Sequence, residues 1–156
     1  MPVEIQRQLE LEGIPEDDQL RSFAEAAIDD SARAEICLRI VDEAEGRALN
    51  RQWRGKDSAT NVLSFPGSVP PGLPAGSTAE LMGDVVLCAP VVAREARAQN
   101  KPLVHHWAHL VVHGVLHLRG FDHIQPPSAA LMERREREIL NGLRIPDPYA
   151  DDDRTA

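Results

Sequence analysis

At 156 residues, 42% apolar and 27% charged, the chain has the length for one self-sufficient core and too much apolar content for a disordered segment. No apolar run approaches the ~20 residues of a membrane span, and the start Met1-Pro2-Val3-Glu4 lacks the basic and apolar blocks of a signal peptide. A cytoplasmic location is therefore the expectation. The net charge of −8 argues against a surface coated in nucleic acid. Yet Arg47, Arg51, Arg54 and Lys56 fall within eleven residues that hold one acid, Asp57, so a basic working face is compatible with the acidic total. Cys37 and Cys88 form no C-x-x-C unit and read as buried free thiols.

In chain order, the alternation in Val3 to Leu9 predicts a strand. Acids at Glu16, Asp17 and Asp18 favour a helix N-terminus, and Leu20, Phe23, Ala24, Ala27 and Ile28 follow at helical spacing. Ala34 to Val41 predicts a second strand, and Asp42 caps a helix running to about Trp53. Asn61 to Phe65 is a short strand, ended by Pro66-Gly67. Residues 66–78 hold four prolines, three glycines and two serines and predict a mobile loop. Leu81 to Leu87 is a strand and Ala89 to Gln99 a helix, while Leu103 to Leu118 is the longest helix. Pro126-Pro127-Ser128 precedes a last helix from Ala129 to about Leu143. The expectation is one α+β domain over residues 1–143, with about four strands in a mixed sheet and about five helices. Residues 144–156 read as an acidic, flexible tail.

Four of the six histidines lie between positions 109 and 123. His113 and His117 are one helical turn apart, so their attachment points sit ~6 Å apart on one face. Gly120 suits a helix end that turns His123 back over that face. H-x-x-x-H-x-x-G-x-x-H thus supplies three nitrogens and leaves a fourth position open, the requirement of a catalytic zinc. One zinc ion per chain is expected, on a long histidine-bearing helix. His109 lies ~12 Å along the helix from His117 and is left out of the ligand set, as are His105 and His106. Zinc peptidases with a related pattern carry a glutamate after the first histidine as general base, and Gly114 stands there instead.

H-G-V-L-H-L-R-G-F-D-H, from His113 to His123, resembles the signature of the YbeY family of bacterial endoribonucleases of ribosomal RNA maturation. Asn50 to Asp57 with Thr60 to Pro66, and Leu81 to Val86, resemble further marked segments of that family. Together they span roughly residues 40 to 140. The resemblance implies a single α+β domain, a three-histidine zinc site and single-strand-specific cleavage near the 3′ end of 16S ribosomal RNA, with a part in ribosome quality control. Single-stranded rRNA and the small ribosomal subunit are the implied partners, with neither membrane nor organic cofactor. It also implies that Arg54 is functionally needed.

The mechanism expected from these residues has Arg54 on the phosphate and Lys56 and Arg51, with Arg47, along the RNA backbone. Asp122 is the catalytic candidate beside His123, as a base or as an orienter of a ligand, and Asp84 is a second candidate for that role. The general base is unassigned. Trp53, Phe65 and Trp107 are candidates for base stacking, with core packing favoured for the last two. Two other readings stand beside this one. A zinc peptidase or other metallohydrolase is opposed by Gly114. A ribosome-associated assembly factor with a structural metal is opposed by the open coordination position.

Overall fold

β-branched and apolar side chains at alternate positions build a sheet whose two faces receive different treatment. The computed structural model describes residues 3–28, 34–66, 81–119 and 126–147. Among them, Val3–Arg7 (β1), Ala34–Val41 (β2), Val62–Pro66 (β3) and Leu81–Cys88 (β4) form a four-stranded sheet in the order β1-β2-β4-β3. β1, β2 and β4 run parallel, and β3 is an antiparallel edge strand on β4. The helices are Asp17–Ala27 (α1), Glu43–Arg54 (α2), Ala89–Ala98 (α3), Leu103–Leu118 (α4) and Pro126–Gly142 (α5). The α+β class and the mixed four-stranded sheet match the expectation.

Ile36, Leu38, Ile40, Val85 and Leu87 project to one side of the sheet, where the apolar stripes of α1 and α4 bury them. The other side carries Cys37, Arg39, Asp84 and Val86. There, among the described residues, α2 covers the end at Val41, Val86 and Cys88, through Leu49. Both ends of α2 are set by the sequence. Asp42 accepts the Glu45 N–H at 2.8 Å, and Gly55 closes the helix at φ +72°, a conformation that favours glycine.

α4 is the axis of the core, with nine of its sixteen residues buried, Trp107 among them. It rests on β3 and β4 through Gly114. A Cβ at that position would stand 2.6 Å from Val85 Cγ1, 3.2 Å from Val62 Cγ2 and 3.3 Å from Ser64 Oγ. The Ser64 hydroxyl donates to the Gly114 carbonyl at 2.9 Å and ties helix to strand. A second polar tie lies at the other end of α4. Glu95 of α3 receives both Asn61 Nδ2 and the buried His106 Nε2 at 2.9 Å. Burial pushes the His106 pKa below its ordinary value, against the pull of Glu95 in the other direction. Its Nδ1 is buried with no hydrogen-bond partner among the described residues, so a proton there has no acceptor.

Three expectations differ from the structure. α5 begins at Pro126, because prolines in a first turn lack only N–H groups that would go unpaired there anyway. Cys37 is half-buried; only Cys88 is fully buried, and both are free thiols. Past α5 the chain stays attached: Ile145 packs on the core and donates to Leu140 O at 2.8 Å, and Arg137 pairs with Asp147. The rest of the expected tail, residues 148–156, and residues 67–78 of the expected mobile loop lie outside the described residues.

Two outcomes follow. Gly114→Ala lowers stability by about 1–3 kcal/mol through overpacking against Val85, read by denaturant unfolding; an unchanged midpoint refutes the close contact. His106 has a folded pKa below its unfolded value, so the unfolded chain takes up the proton first. Its contribution is intact above about pH 6.5 and lost as pH falls through that value. Stability of a His106→Gln variant should therefore decline less steeply than wild type between pH 7 and 5, and equal slopes would exclude this titration.

Candidate metal centre

The helical repeat places His106, His109, His113 and His117 along one side of α4. The rings of His113 and His117 meet edge to face at 4.6 Å between centroids, with their Nε2 atoms 3.1 Å apart. Both residues are partly exposed. Their backs are held by a residue absent from the sequence-derived site, Glu136 of α5. Its side chain is fully buried and lies between two histidines, 2.5 Å from His113 Nδ1 and 3.0 Å from His109 Nε2. Burial alone would raise the Glu136 pKa, but the hydrogen bonds from His109 and His113 outweigh it and bring it down to about 2. Glu136 is therefore a carboxylate, and each histidine donates an N–H to it.

That assignment fixes the tautomer of His113. In the neutral ring with the proton on Nδ1, the lone pair is on Nε2, the atom that faces His117. His109, His113 and Glu136 together present ligand atoms within 4.8 Å of one another and could hold a metal ion. The distances discriminate between that grouping and the pair His113–His117. Two ligand atoms on one tetrahedral zinc, at bonds near 2.0–2.1 Å, stand about 3.3 Å apart. The 3.1 Å Nε2–Nε2 separation fits this, whereas 2.5 Å between His113 Nδ1 and Glu136 is a direct hydrogen bond with no room for an ion. The 3.1 Å separation is compatible with one ion on the two outer nitrogens and is equally the distance of a direct hydrogen bond between the rings.

Of the other residues singled out in the sequence, His123 and Asp122 lie outside the described residues. Arg54 ends α2 and reaches β3, where Nη2 donates to Ser64 O at 2.9 Å and the guanidinium lies 5.9 Å from the Phe65 ring centre. Ser64 therefore connects Arg54, through its carbonyl, with α4, through its hydroxyl. Arg47 is held by both Asp57 oxygens at 2.8 and 3.0 Å, and its N–H donors keep that carboxylate below its usual pKa. Arg51 approaches the same carboxylate at 3.9 Å, and Lys56 is exposed. Asp84 cannot orient a ligand histidine: Val85 packs against Gly114, so its neighbour in the strand points to the opposite face of the sheet.

A sequence profile of the family described as Endoribonuclease YbeY matches residues 6–144. The chain belongs to the YbeY family. Among its relatives, an Endoribonuclease YbeY of Halorhodospira halophila is 54% identical over 136 residues, covering 86% of this chain and 88% of the relative. One of Stenotrophomonas maltophilia is 55% identical over 139 residues, covering 88% and 86%. The solution structure of TM1509 from Thermotoga maritima shares the fold, with a TM-score of 0.53 at 23% identity and 91% of each chain covered.

Removing Glu136 tests the buried contact directly. Glu136→Ala leaves two buried imidazole N–H groups facing a void, and metal-free stability should fall by about 3–5 kcal/mol. A loss below about 1 kcal/mol in denaturant unfolding would mean that the carboxylate is not the partner of these rings.

Proposed function

We propose that this chain is a zinc-dependent, single-strand-specific endoribonuclease that acts in maturation of the 16S rRNA 3′ end and in ribosome quality control, on the small ribosomal subunit in the cytoplasm. The observation that carries the reading is the His113–His117 pair, with Nε2 atoms 3.1 Å apart and the His113 tautomer held by Glu136. Family membership supports RNA as the substrate, since the relatives carry the name endoribonuclease. No helix among the described residues is long and apolar enough to cross a membrane.

On this reading, Nε2 of His113 and of His117, with His123, would hold one zinc ion, three nitrogens suiting that metal. When bound, the ion supplies Lewis acidity toward a phosphodiester oxygen and favours ionisation of water near neutral pH. The chain's own residues do the rest. Arg54 binds the scissile phosphate: one of its five N–H donors is taken by Ser64 O, which aims the fork and leaves other donors for phosphate oxygens. Lys56 and Arg51 follow the backbone on either side. Arg47 is assigned instead to bracing the loop after α2 through Asp57. Asp122 is retained as a catalytic candidate beside His123. A peptidase mechanism is opposed by packing as well as by sequence, because a side chain at position 114 would point into Val85 rather than toward the ligands.

The zinc-loaded protein, incubated with a labelled small-subunit rRNA precursor, should cleave it, and His117→Ala should abolish cleavage. Arg54→Ala should slow cleavage at least about tenfold while retaining zinc. Glu136→Gln should weaken zinc binding by about 10–100-fold. Equal cleavage by wild type and His117→Ala would assign the activity to a contaminant. Zinc binding without cleavage would favour an assembly factor with a structural metal.

A further inference from the structure

We infer that the sheet face opposite the histidines carries a subsite for one unstacked RNA base, with Trp53 as its stacking wall and Asp84 as the acceptor that reads the base edge. The inference rests on the endoribonuclease reading for its substrate class and adds where the strand goes beyond the scissile phosphate.

The strand registers lay out this face as a grid. One row across the sheet is Glu4, Cys37, Asp84 and Phe65, and the next is Gln6, Arg39, Val86 and Leu63. Among the described residues α2 covers only the far end, and they enclose a groove of about 660 Å³, within the range of small-ligand sites and ample for a nucleobase. One wall is aromatic. Trp53 is 61% exposed, an unusual state for an indole, and meets Phe65 edge to face at 6.2 Å. Leu49 and Val86 add an apolar floor.

The polar side of the groove is unsuited to phosphate. Arg39 is occupied by Glu45 at 2.6 Å and by Gln6 at 2.9 Å, while Asp84 and Glu4 are exposed carboxylates. Carboxylates repel phosphate but accept N–H groups of bases. A carboxylate with two oxygens matches two adjacent donors, and guanine presents such a pair on its Watson–Crick edge. The groove therefore takes a base, and the phosphate stays outside it.

Continuity with the proposed centre runs through the edge strand. Phe65 faces the groove and lies under the Arg54 guanidinium, while the neighbouring Ser64 faces α4 and bonds to Gly114, next to His113. An RNA strand crossing β3 would place a phosphate at Arg54 and the adjoining base on Trp53. Duplex RNA, its bases stacked and paired, cannot supply that base, which gives the proposed single-strand preference a physical source.

The test uses the full zinc-loaded chain and six-nucleotide single-stranded RNAs carrying guanine or uracil at one position, with anisotropy and tryptophan emission as readouts. Trp107 is 1% exposed, so quenching on binding reports Trp53. Stacking predicts quenching, about tenfold weaker binding by Trp53→Ala, and less than about threefold by Trp53→Phe. It also predicts a guanine preference that Asp84→Asn removes, and a matching rise in KM for precursor cleavage. Trp53 is exposed, so the alanine variant should unfold at the wild-type denaturant midpoint. Absence of quenching together with wild-type binding by Trp53→Ala overturns the subsite, and the nuclease reading survives if cleavage persists. Quenching and variant effects without any cleavage uphold the subsite and defeat the nuclease reading.

Discussion

The contact of α4 with the sheet at Gly114 sets the orientation of everything the site contains. Successive residues of a helix are rotated by about 100°, so a helix pressed onto Val85, Val62 and Ser64 at position 114 has no freedom left in its rotation. His113 and His117 are then turned away from the sheet, toward the side where α5 supplies Glu136. A residue with a side chain at 114 would lift or rotate the helix and move both nitrogens. The hydroxyl of Ser64 on the Gly114 carbonyl reinforces the same placement. The missing peptidase glutamate and the precise seating of the histidines thus have one cause.

What could be read in the sequence was what local periodicity determines. The bounds of α4 follow from the apolar pattern, and His113 and His117 face each other because of helical spacing alone. The cap at Asp42 and the left-handed exit at Gly55 are equally local, and they deliver Arg54 to β3. Glu136 was illegible because it belongs to another helix and looks ordinary among Glu133, Arg134, Arg135, Arg137 and Glu138. Its signal was positional: it shares a helical stripe with Met132, Ile139 and Leu140, all buried. An acid in an apolar stripe needs a partner, and a histidine-bearing helix nearby offers one. The face that Asp84 occupies is illegible for a related reason. Val85, Val86 and Leu87 are all apolar, so the run does not say which face of the sheet Asp84 occupies; only pairing and packing decide that.

The acidic total of the chain and its proposed RNA substrate are reconciled by where charges are neutralised. Arg47 and Arg51 share Asp57, and Arg39 is enclosed by Glu45 and Gln6, so much of the nominal positive charge is internal bookkeeping. Arg54 differs: its contact at β3 is with a neutral carbonyl, which orients the guanidinium without cancelling its charge. A lysine could not do both, since an ammonium lacks the rigid fork. On the proposed reading, recognition of RNA would rest on one aimed cation and an aromatic neighbour rather than on a broad basic surface.

The buried carboxylate of Glu136 also links the fold to the proposed metal. Its charge sits out of water and is offset by imidazole N–H groups from His109 and His113, which are dipoles rather than full charges when the rings are neutral. A dication on the outer nitrogens would complete that compensation, because polarising His113 strengthens the hydrogen bond from its Nδ1 to Glu136. With such an ion bound, carboxylate, histidine and ion would stabilise one another in series, and each link would favour the folded placement of α5 on α4. A metal held there would be bound by an arrangement that the core already requires, and its binding free energy would add to the stability of the domain.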